Sequence, residues 1–180
     1  MPVLVIALDG ATFDLLDPWL AEGALPTLAG LMAAGTSGEL GSTLPPVTAP
    51  AWASFMTGKN PGKHGVFDFF HTQPTDLDQY ELVNSSHIRA KTLWEYLSEA
   101  QVRVGVLNVP LTHPPRPVNG YLVPGLLSPD QGQTCYPPDL LQPYRDALGP
   151  YRLTPDLSCR PGDVAAFIAD LHALCETQSR

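Results

Sequence analysis

The hydrophobic and polar positions along the first part of the chain predict a strand followed by two helices. Residues 3–8 form a continuous aliphatic run, as expected of a central strand that is covered on both faces. Asp17 followed by Pro18 predicts a helix start, because aspartate caps helices and proline suits the first helical position. A second helix is predicted from Pro26 to Gly35, where the glycine closes it.

Further strands and helices are predicted in alternation up to residue 109. Residues 38–44 predict a short strand, and residues 51–56, which follow Thr48, are compatible with a helix. Residues 92–100 carry apolar positions at helical spacing, and residues 102–109 predict another buried strand. Strands that alternate with helices are typical of the α/β class, so we expect a three-layer α/β/α sandwich with a mostly parallel sheet.

The composition changes after this region. Twelve of the 20 prolines lie between Pro110 and Pro161, so residues 110–162 are predicted to form a loop-rich segment or cap. The last predicted element is a helix with one apolar face, formed by Val164, Phe167, Ile168, Leu171, Leu174 and Cys175. We expect residues 1–180 to form a single α/β domain. The apolar face has no predicted partner, so we expect it to self-associate or to contact a missing C-terminal part.

Composition and charge narrow the classes of function. The chain of 180 residues has a formal net charge of −8, and its ten Lys and Arg residues are scattered, which argues against a nucleic-acid surface. No apolar run approaches the ~18 residues of a membrane span, and the first residues lack the basic region of a signal peptide. The odd number of cysteines, without a C-x-x-C pair, indicates reduced thiols in a cytoplasmic protein.

Two oxygen-bearing side chains stand at the ends of predicted elements. Asp9 follows the first strand, and a carboxylate at the carboxyl end of a strand is well placed to hold a cation. The alternative is that Asp9 and Gly10 only form a turn. Thr48 precedes a predicted helix, whose N-terminal N–H groups would favour an anionic oxygen. The alternative for Thr48 is an ordinary N-cap.

The combined motifs are more specific than either residue alone. The chain reads Leu8-Asp9-Gly10, then Thr48-x-Pro50, then T-G-x-x-P-x-x-H-G over residues 57–65. In this order and spacing it resembles the type I phosphodiesterase and nucleotide pyrophosphatase branch of the alkaline phosphatase superfamily. The wider sequence is similar to bacterial and archaeal members described only as phosphohydrolases or phosphomutases. The resemblance covers residues 3–175 and implies an alkaline-phosphatase-like fold.

The resemblance implies a metal-dependent phosphoesterase that acts on small-molecule phosphate esters. It implies two divalent ions, usually Zn²⁺ with Mn²⁺ as an alternative, and it places Asp9 and Thr48 on the same metal. Thr48 would attack phosphorus and form a phospho-threonine intermediate, which water then hydrolyses. His64 is a candidate third ligand, but its place in the pattern is a turn after the nucleophile helix, and we favour a structural role.

The chain departs from the pattern of its relatives in several places. Phe69 stands where the nucleotide pyrophosphatases carry an asparagine that binds a phosphate oxygen, so their substrate preference does not carry over. Asn108 could offer an amide to phosphate or simply end a strand. Trp52 stands where the sulfatase branch has an arginine, which disfavours that branch.

The further metal ligands of the superfamily form another departure. They are a D-x-x-x-H segment, an Asp-His pair and a late histidine, and the sequence contains none of them. We therefore expect the chain to be the N-terminal part of such an enzyme and to be weak or inactive alone. Two alternatives stay open: a phosphomutase of the same superfamily, and a non-catalytic domain that associates with a missing C-terminal part.

Overall fold

The computed structural model contains two compact units, Met1–Ser42 and Thr43–Arg180. The first unit holds two helices, and the second holds both sheets. A single domain over residues 1–180 stays a prediction. The structure describes residues 2–73, 76–129, 134–156 and 158–179.

The helices of the first unit are α1 (Phe13–Ala21) and α2 (Pro26–Ala34). The predicted start of α1 was wrong, because the cap is Thr12 rather than Asp17. The Thr12 hydroxyl accepts a hydrogen bond of 3.3 Å from the N–H group two residues further on, which satisfies a helix N-terminal donor. Pro18 therefore lies inside α1. α2 begins and ends as predicted, with proline in its first turn and Gly35 as its C-cap.

The two strands predicted before Thr48 are not formed, so these predictions were wrong. Residues 3–8 carry no strand assignment, and five of their side chains are 61 to 83% exposed: Val3, Leu4, Val5, Ile6 and Leu8. Residues 38–44 form no strand in this fully described stretch either. A strand is stabilised by hydrogen bonds to a neighbouring strand, and no described strand pairs with either segment.

The second unit begins with α3 (Thr48–Thr57) and α4 (Pro61–His64). Three side chains of α3 at helical spacing are 0 to 1% exposed and pack in the core: Ala49, Ala53 and Met56. Gly58 ends α3 in the left-handed conformation with φ +63°, and its N–H donates to the Ser54 carbonyl at 2.9 Å. α3 confirms the predicted helix after Thr48.

An antiparallel hairpin follows, formed by β1 (Phe70–Gln73) and β2 (Asp76–Leu82). The sequence pattern did not predict it. His71 lies opposite Glu81 in its register. A short 3-10 helix, Ser85–His87, leads out of the hairpin.

A helix and two parallel strands complete the main part of this unit. α5 (Leu93–Glu99) confirms the predicted helix, and Thr92 and Glu95 form a capping box at its start. β3 (Val104–Val109) confirms most of the strand predicted at residues 102–109, and it pairs in parallel with β4 (Gly120–Pro124). Parallel strands with helices make this a mixed α/β structure, which confirms the predicted class.

The main core brings together one face of the parallel pair and the helices α3 and α5. Its buried members include Met56, Trp94, Val106 and Leu122. On the opposite face Val123 packs with Cys135 and Leu141. Leu107 on the same face is 54% exposed, so the predicted burial of this strand was wrong at Leu107. Gly105 makes room there for the Tyr121 ring, because a Cβ at Gly105 would lie 2.5 Å from that ring.

The described part of residues 110–162 contains β4 and α6 (Gln142–Leu148) between loops, and the predicted cap role of this segment stays a prediction. α7 (Val164–Ser179) confirms the final helix, but its apolar face is partly covered, since Leu174 is only 7% exposed. The Arg152 guanidinium pairs with the Asp170 carboxylate at 2.9 Å and fastens α7 to the preceding loop. Among the described residues, no helix has the length and hydrophobicity needed to cross a membrane.

Candidate active site

Thr48 occupies the first position of α3, as the sequence predicts. The N-cap is Val47, with extended backbone angles and no side-chain capping hydrogen bond. The alternative that Thr48 is an ordinary N-cap is therefore wrong. Thr48 is half-buried, and its hydroxyl has no hydrogen-bond partner among the described residues. The hydroxyl is thus not used to hold the helix end.

Unpaired backbone donors surround the Thr48 position. The first N–H of α3 that bonds within the helix belongs to Ala51, which donates to the Val47 carbonyl at 3.1 Å. Pro50 has no N–H, so the amides of Val47, Thr48 and Ala49 precede the helical hydrogen-bond ladder. Helix N-termini with free N–H groups favour negative charge, both through hydrogen bonds and through the helix dipole. This end of α3 can therefore stabilise an anionic group next to the Thr48 hydroxyl.

His64 is fully buried and both of its ring nitrogens are engaged. The Val66 N–H donates to Nδ1 at 3.2 Å, so Nδ1 carries no proton in this arrangement. The neutral ring then carries its proton on Nε2, which donates to the Ser54 hydroxyl oxygen at 2.9 Å. Burial lowers the pKa of His64, in agreement with a neutral ring. These bonds leave no nitrogen for a metal and confirm the structural role.

The other residues of the T-G-x-x-P-x-x-H-G segment build the connection between α3 and α4. The Thr57 hydroxyl donates to the Ala53 carbonyl at 2.6 Å and accepts from the Lys59 N–H at 3.2 Å. Gly58 and Gly65 end the two helices with positive φ angles, where glycine is favoured. The motif therefore orients the far end of the helix that carries Thr48.

Asp9 lies in the other compact unit, where it and Gly10 form a turn. The turn agrees with the simpler of the two interpretations of this pair. The Asp9 side chain is exposed, and Gly10 has a φ of +68°. Asp9 and Thr48 belong to separate units, so their shared metal ion stays a prediction.

A comparison with known protein families shows which family the chain belongs to. The sequence model of the family described as type I phosphodiesterase / nucleotide pyrophosphatase matches residues 3–171. The chain belongs to this family. No solved structure matches it. Members of the family act on small-molecule phosphate esters and generally require metal ions.

The described residues do not fit the metal centre expected for this phosphodiesterase family. They contain no group of three or more His, Cys, Asp or Glu side chains that could hold an ion. Zinc sites in proteins use at least three protein ligands. The predicted pair of zinc ions therefore has no ligand cluster within the described part of the chain.

Two further positions of family interest have structural surroundings. Phe69, at the sequence position where the resemblance implies a phosphate-binding asparagine in the nucleotide pyrophosphatases, is half-buried. Its side chain packs against the main core. Asn108 has a φ of +60° at an irregularity between β3 and β4, and its Oδ1 is buried without a partner among the described residues. Burial raises the pKa of Tyr151 to about 12, and the neighbouring Asn108 amide opposes that rise. Asn108 thus belongs to the interior beside Tyr151.

Proposed function

We propose that this protein is a phosphoesterase in which the Thr48 hydroxyl attacks the phosphorus of a small-molecule phosphate ester. The observation that carries the proposal is the position of Thr48 in the first turn of α3, with a hydroxyl that caps nothing. The region that matches the family model, residues 3–171, includes Thr48. A purely structural threonine at a helix start would be expected to occupy the cap position.

The proposed reaction has two steps. The Thr48 Oγ1 forms a bond to phosphorus while the bond between phosphorus and the ester oxygen breaks. The proton of the Thr48 hydroxyl ends on the ester oxygen, which leaves as the alcohol, and Thr48 becomes a phospho-threonine. Water then attacks that phosphorus, and the bond to Oγ1 breaks to regenerate the hydroxyl and release phosphate or a phosphate monoester. The free N–H groups of Thr48 and Ala49 would hold the non-bridging phosphate oxygens, whose charge increases during the transfer.

The metal dependence of the reaction and the ligand roles of Asp9 and Thr48 are part of the proposal. Two oxygen ligands are fewer than a zinc site needs, so a bound ion would require ligands beyond Asp9 and Thr48. The assay below tests the dependence by comparing Zn²⁺, Mn²⁺ and EDTA.

We also propose that β3 and β4 belong to a larger parallel sheet between helix layers. Parallel strands are normally covered on both faces, whereas the exposed Leu107 and Tyr121 leave part of one face of this pair uncovered. Amide hydrogen exchange tests this directly. Slow exchange at the β3 amides that point away from β4 supports a wider sheet, and fast exchange there contradicts it.

The test of the nucleophile is turnover of a p-nitrophenyl phosphodiester by the wild-type chain and by Thr48→Ala. We expect the wild-type chain to turn this substrate over weakly and Thr48→Ala, which lacks the attacking oxygen, to abolish that turnover. Thr48→Ser keeps a hydroxyl and should retain part of the activity. Thr177→Ala removes a hydroxyl from the exposed side of α7 and is the matched control. Mass spectrometry of a rapidly quenched reaction should find one phosphoryl group on the peptide that contains Thr48.

Activity that survives Thr48→Ala, or a phosphoryl group on another residue, would rule out Thr48 as the nucleophile. Activity that is abolished by EDTA and restored by Zn²⁺ or Mn²⁺ would support metal dependence.

A further inference from the structure

An open cleft of about 300 Å³ lies between α4 and the β1–β2 hairpin. Its volume is within the range of small-molecule pockets. The lining does not include Thr48, which starts α3, whereas the cleft is built from segments that follow the end of that helix. The lining includes Gly62, Gly65, Phe67, Phe70, His71 and Arg89.

The charge of the cleft is opposite to that of the chain. Among the lining residues that the structure describes there is no carboxylate, and the ionisable ones are Arg89 and His71. The chain as a whole has a formal net charge of −8. Among the described residues, the Arg89 guanidinium makes no ion pair and no hydrogen bond. Its five donors are therefore available to an anion.

Backbone geometry holds Arg89 at the cleft. The Arg89 N–H donates to the His64 carbonyl at 2.9 Å, which fixes its main chain beside the end of α4. The Arg89 stem lies over Gly65, where an added Cβ would approach Cδ to 3.2 Å. A side chain at Gly65 would also be strained by the φ of +83°. The glycine thus leaves room for the Arg89 stem.

The apolar part of the cleft consists of exposed aromatic rings. Phe67 is 55% exposed and Phe70 is 51% exposed. Phe70 meets Tyr80 edge to face, with ring centroids 5.4 Å apart, so its orientation is supported from the neighbouring strand. Solvent-exposed phenyl rings beside an unpaired guanidinium suit a ligand that has a flat ring and a negative group.

We propose that this cleft binds a planar organic anion, whose phosphate or carboxylate pairs with Arg89 and whose ring packs on Phe67 and Phe70. His71 adds a second donor on the same wall. The proposal does not depend on the chemistry of Thr48. A purely structural role for Arg89, binding the terminal carbonyls of α4, is not what the described contacts show, because its guanidinium makes no such bond.

The test is a titration of the ¹⁵N-labelled Thr48→Ala chain with adenosine 5′-monophosphate in EDTA, followed by NMR. This background removes turnover, so failure of the binding proposal and failure of the proposed function are distinguishable. We expect saturable shifts at the amides of Gly62, Gly65 and Arg89. Adenosine lacks the charge and inorganic phosphate lacks the ring, so each should bind at least about tenfold more weakly.

Two variants assign the contribution of the guanidinium. Arg89→Gln should weaken binding about tenfold or more, because it removes a charge-assisted pair. Lys63→Gln removes an exposed cation from α4 that does not line the cleft, and it should leave the affinity within about twofold. Equal weakening by both variants would indicate only general attraction to positive charge and would overturn the proposal. Shifts confined to the start of α3, or no saturable shift, would overturn it as well.

Discussion

The buried His64 makes the stability of this protein sensitive to pH, because one of its ring nitrogens accepts a hydrogen bond and must stay unprotonated. Nδ1 accepts from the Val66 N–H, so protonation of His64 would break this bond and place a charge in the core. Burial lowers the pKa of His64 below its ordinary value of 6.5. The unfolded chain therefore binds a proton at a higher pH than the folded chain does.

The sign and the size of the effect follow from linkage. Because the folded-state pKa is lowered, the contribution of His64 is complete above the ordinary pKa of 6.5 and is lost as the pH falls through the folded-state pKa. Between these two values, the free energy of unfolding should decrease by at most about 1.4 kcal/mol per pH unit. His64→Gln removes the titrating group while its amide can still donate to Ser54 and accept from Val66. At pH 7, His64→Gln should lower the free energy of unfolding by about 1–3 kcal/mol, because the glutamine amide would form these two hydrogen bonds with poorer geometry.

The assay is urea denaturation of wild-type protein and His64→Gln between pH 5 and 8, followed by tryptophan fluorescence. The other four histidines are the same in both proteins, so the difference between the two curves isolates His64. We expect the wild-type protein to lose more stability than the variant as the pH falls below about 6.5. Parallel curves, or an NMR titration of the His64 ring at or above its ordinary value, would refute the reasoning.

Three pairs of substitutions test the packing of the second unit by urea denaturation. Gly105→Ala should cost at most about 1 kcal/mol, because its Cβ meets the far end of the exposed Tyr121 side chain, which can move aside, and Tyr121→Ala in the same chain should recover that loss. A cost of about 3 kcal/mol or more would show that the Tyr121 ring cannot move. Thr92→Ala should cost about 1 kcal/mol through loss of the capping box of α5, whereas Thr92→Ser should cost less. Leu174→Ala should lower the free energy of unfolding by about 2 kcal/mol or more, and Ile168→Ala, at a half-exposed position, should lower it clearly less. Equal effects of the two substitutions would contradict the burial of Leu174.

Local signals explain the elements that the sequence predicts correctly. α5 has a capping box and apolar positions at helical spacing, and both signals come from neighbouring residues. The start of α3 is set by the chain around Pro50, so Thr48 could be placed at a helix end before any tertiary contact was known. The structural role of His64 also followed from its place in a turn. Its two hydrogen-bond partners, Ser54 and Val66, could not be predicted, because they depend on how α4 turns back on α3.

The misses have a different physical origin. An aliphatic run such as residues 3–8 shows that a segment can form a strand, but the strand exists only when a neighbour supplies hydrogen bonds. The β1–β2 hairpin was missed because its residues are mostly polar and show little apolar alternation. The Arg89 cleft was missed for the same reason, since Phe70 and His71 reach Arg89 only through that hairpin.

The position of Thr48 and the buried His64 are connected through a single helix. Ser54 lies on α3 and bonds to His64, so the orientation of α3 depends on a contact at the end opposite to Thr48. Position 64 requires a side chain that accepts one hydrogen bond, donates another and carries no charge. Neutral histidine meets these three conditions, whereas phenylalanine would leave the Val66 N–H and the Ser54 hydroxyl unpaired in the interior. The histidine of the T-G-x-x-P-x-x-H-G segment therefore fixes the helix that carries Thr48, the proposed nucleophile.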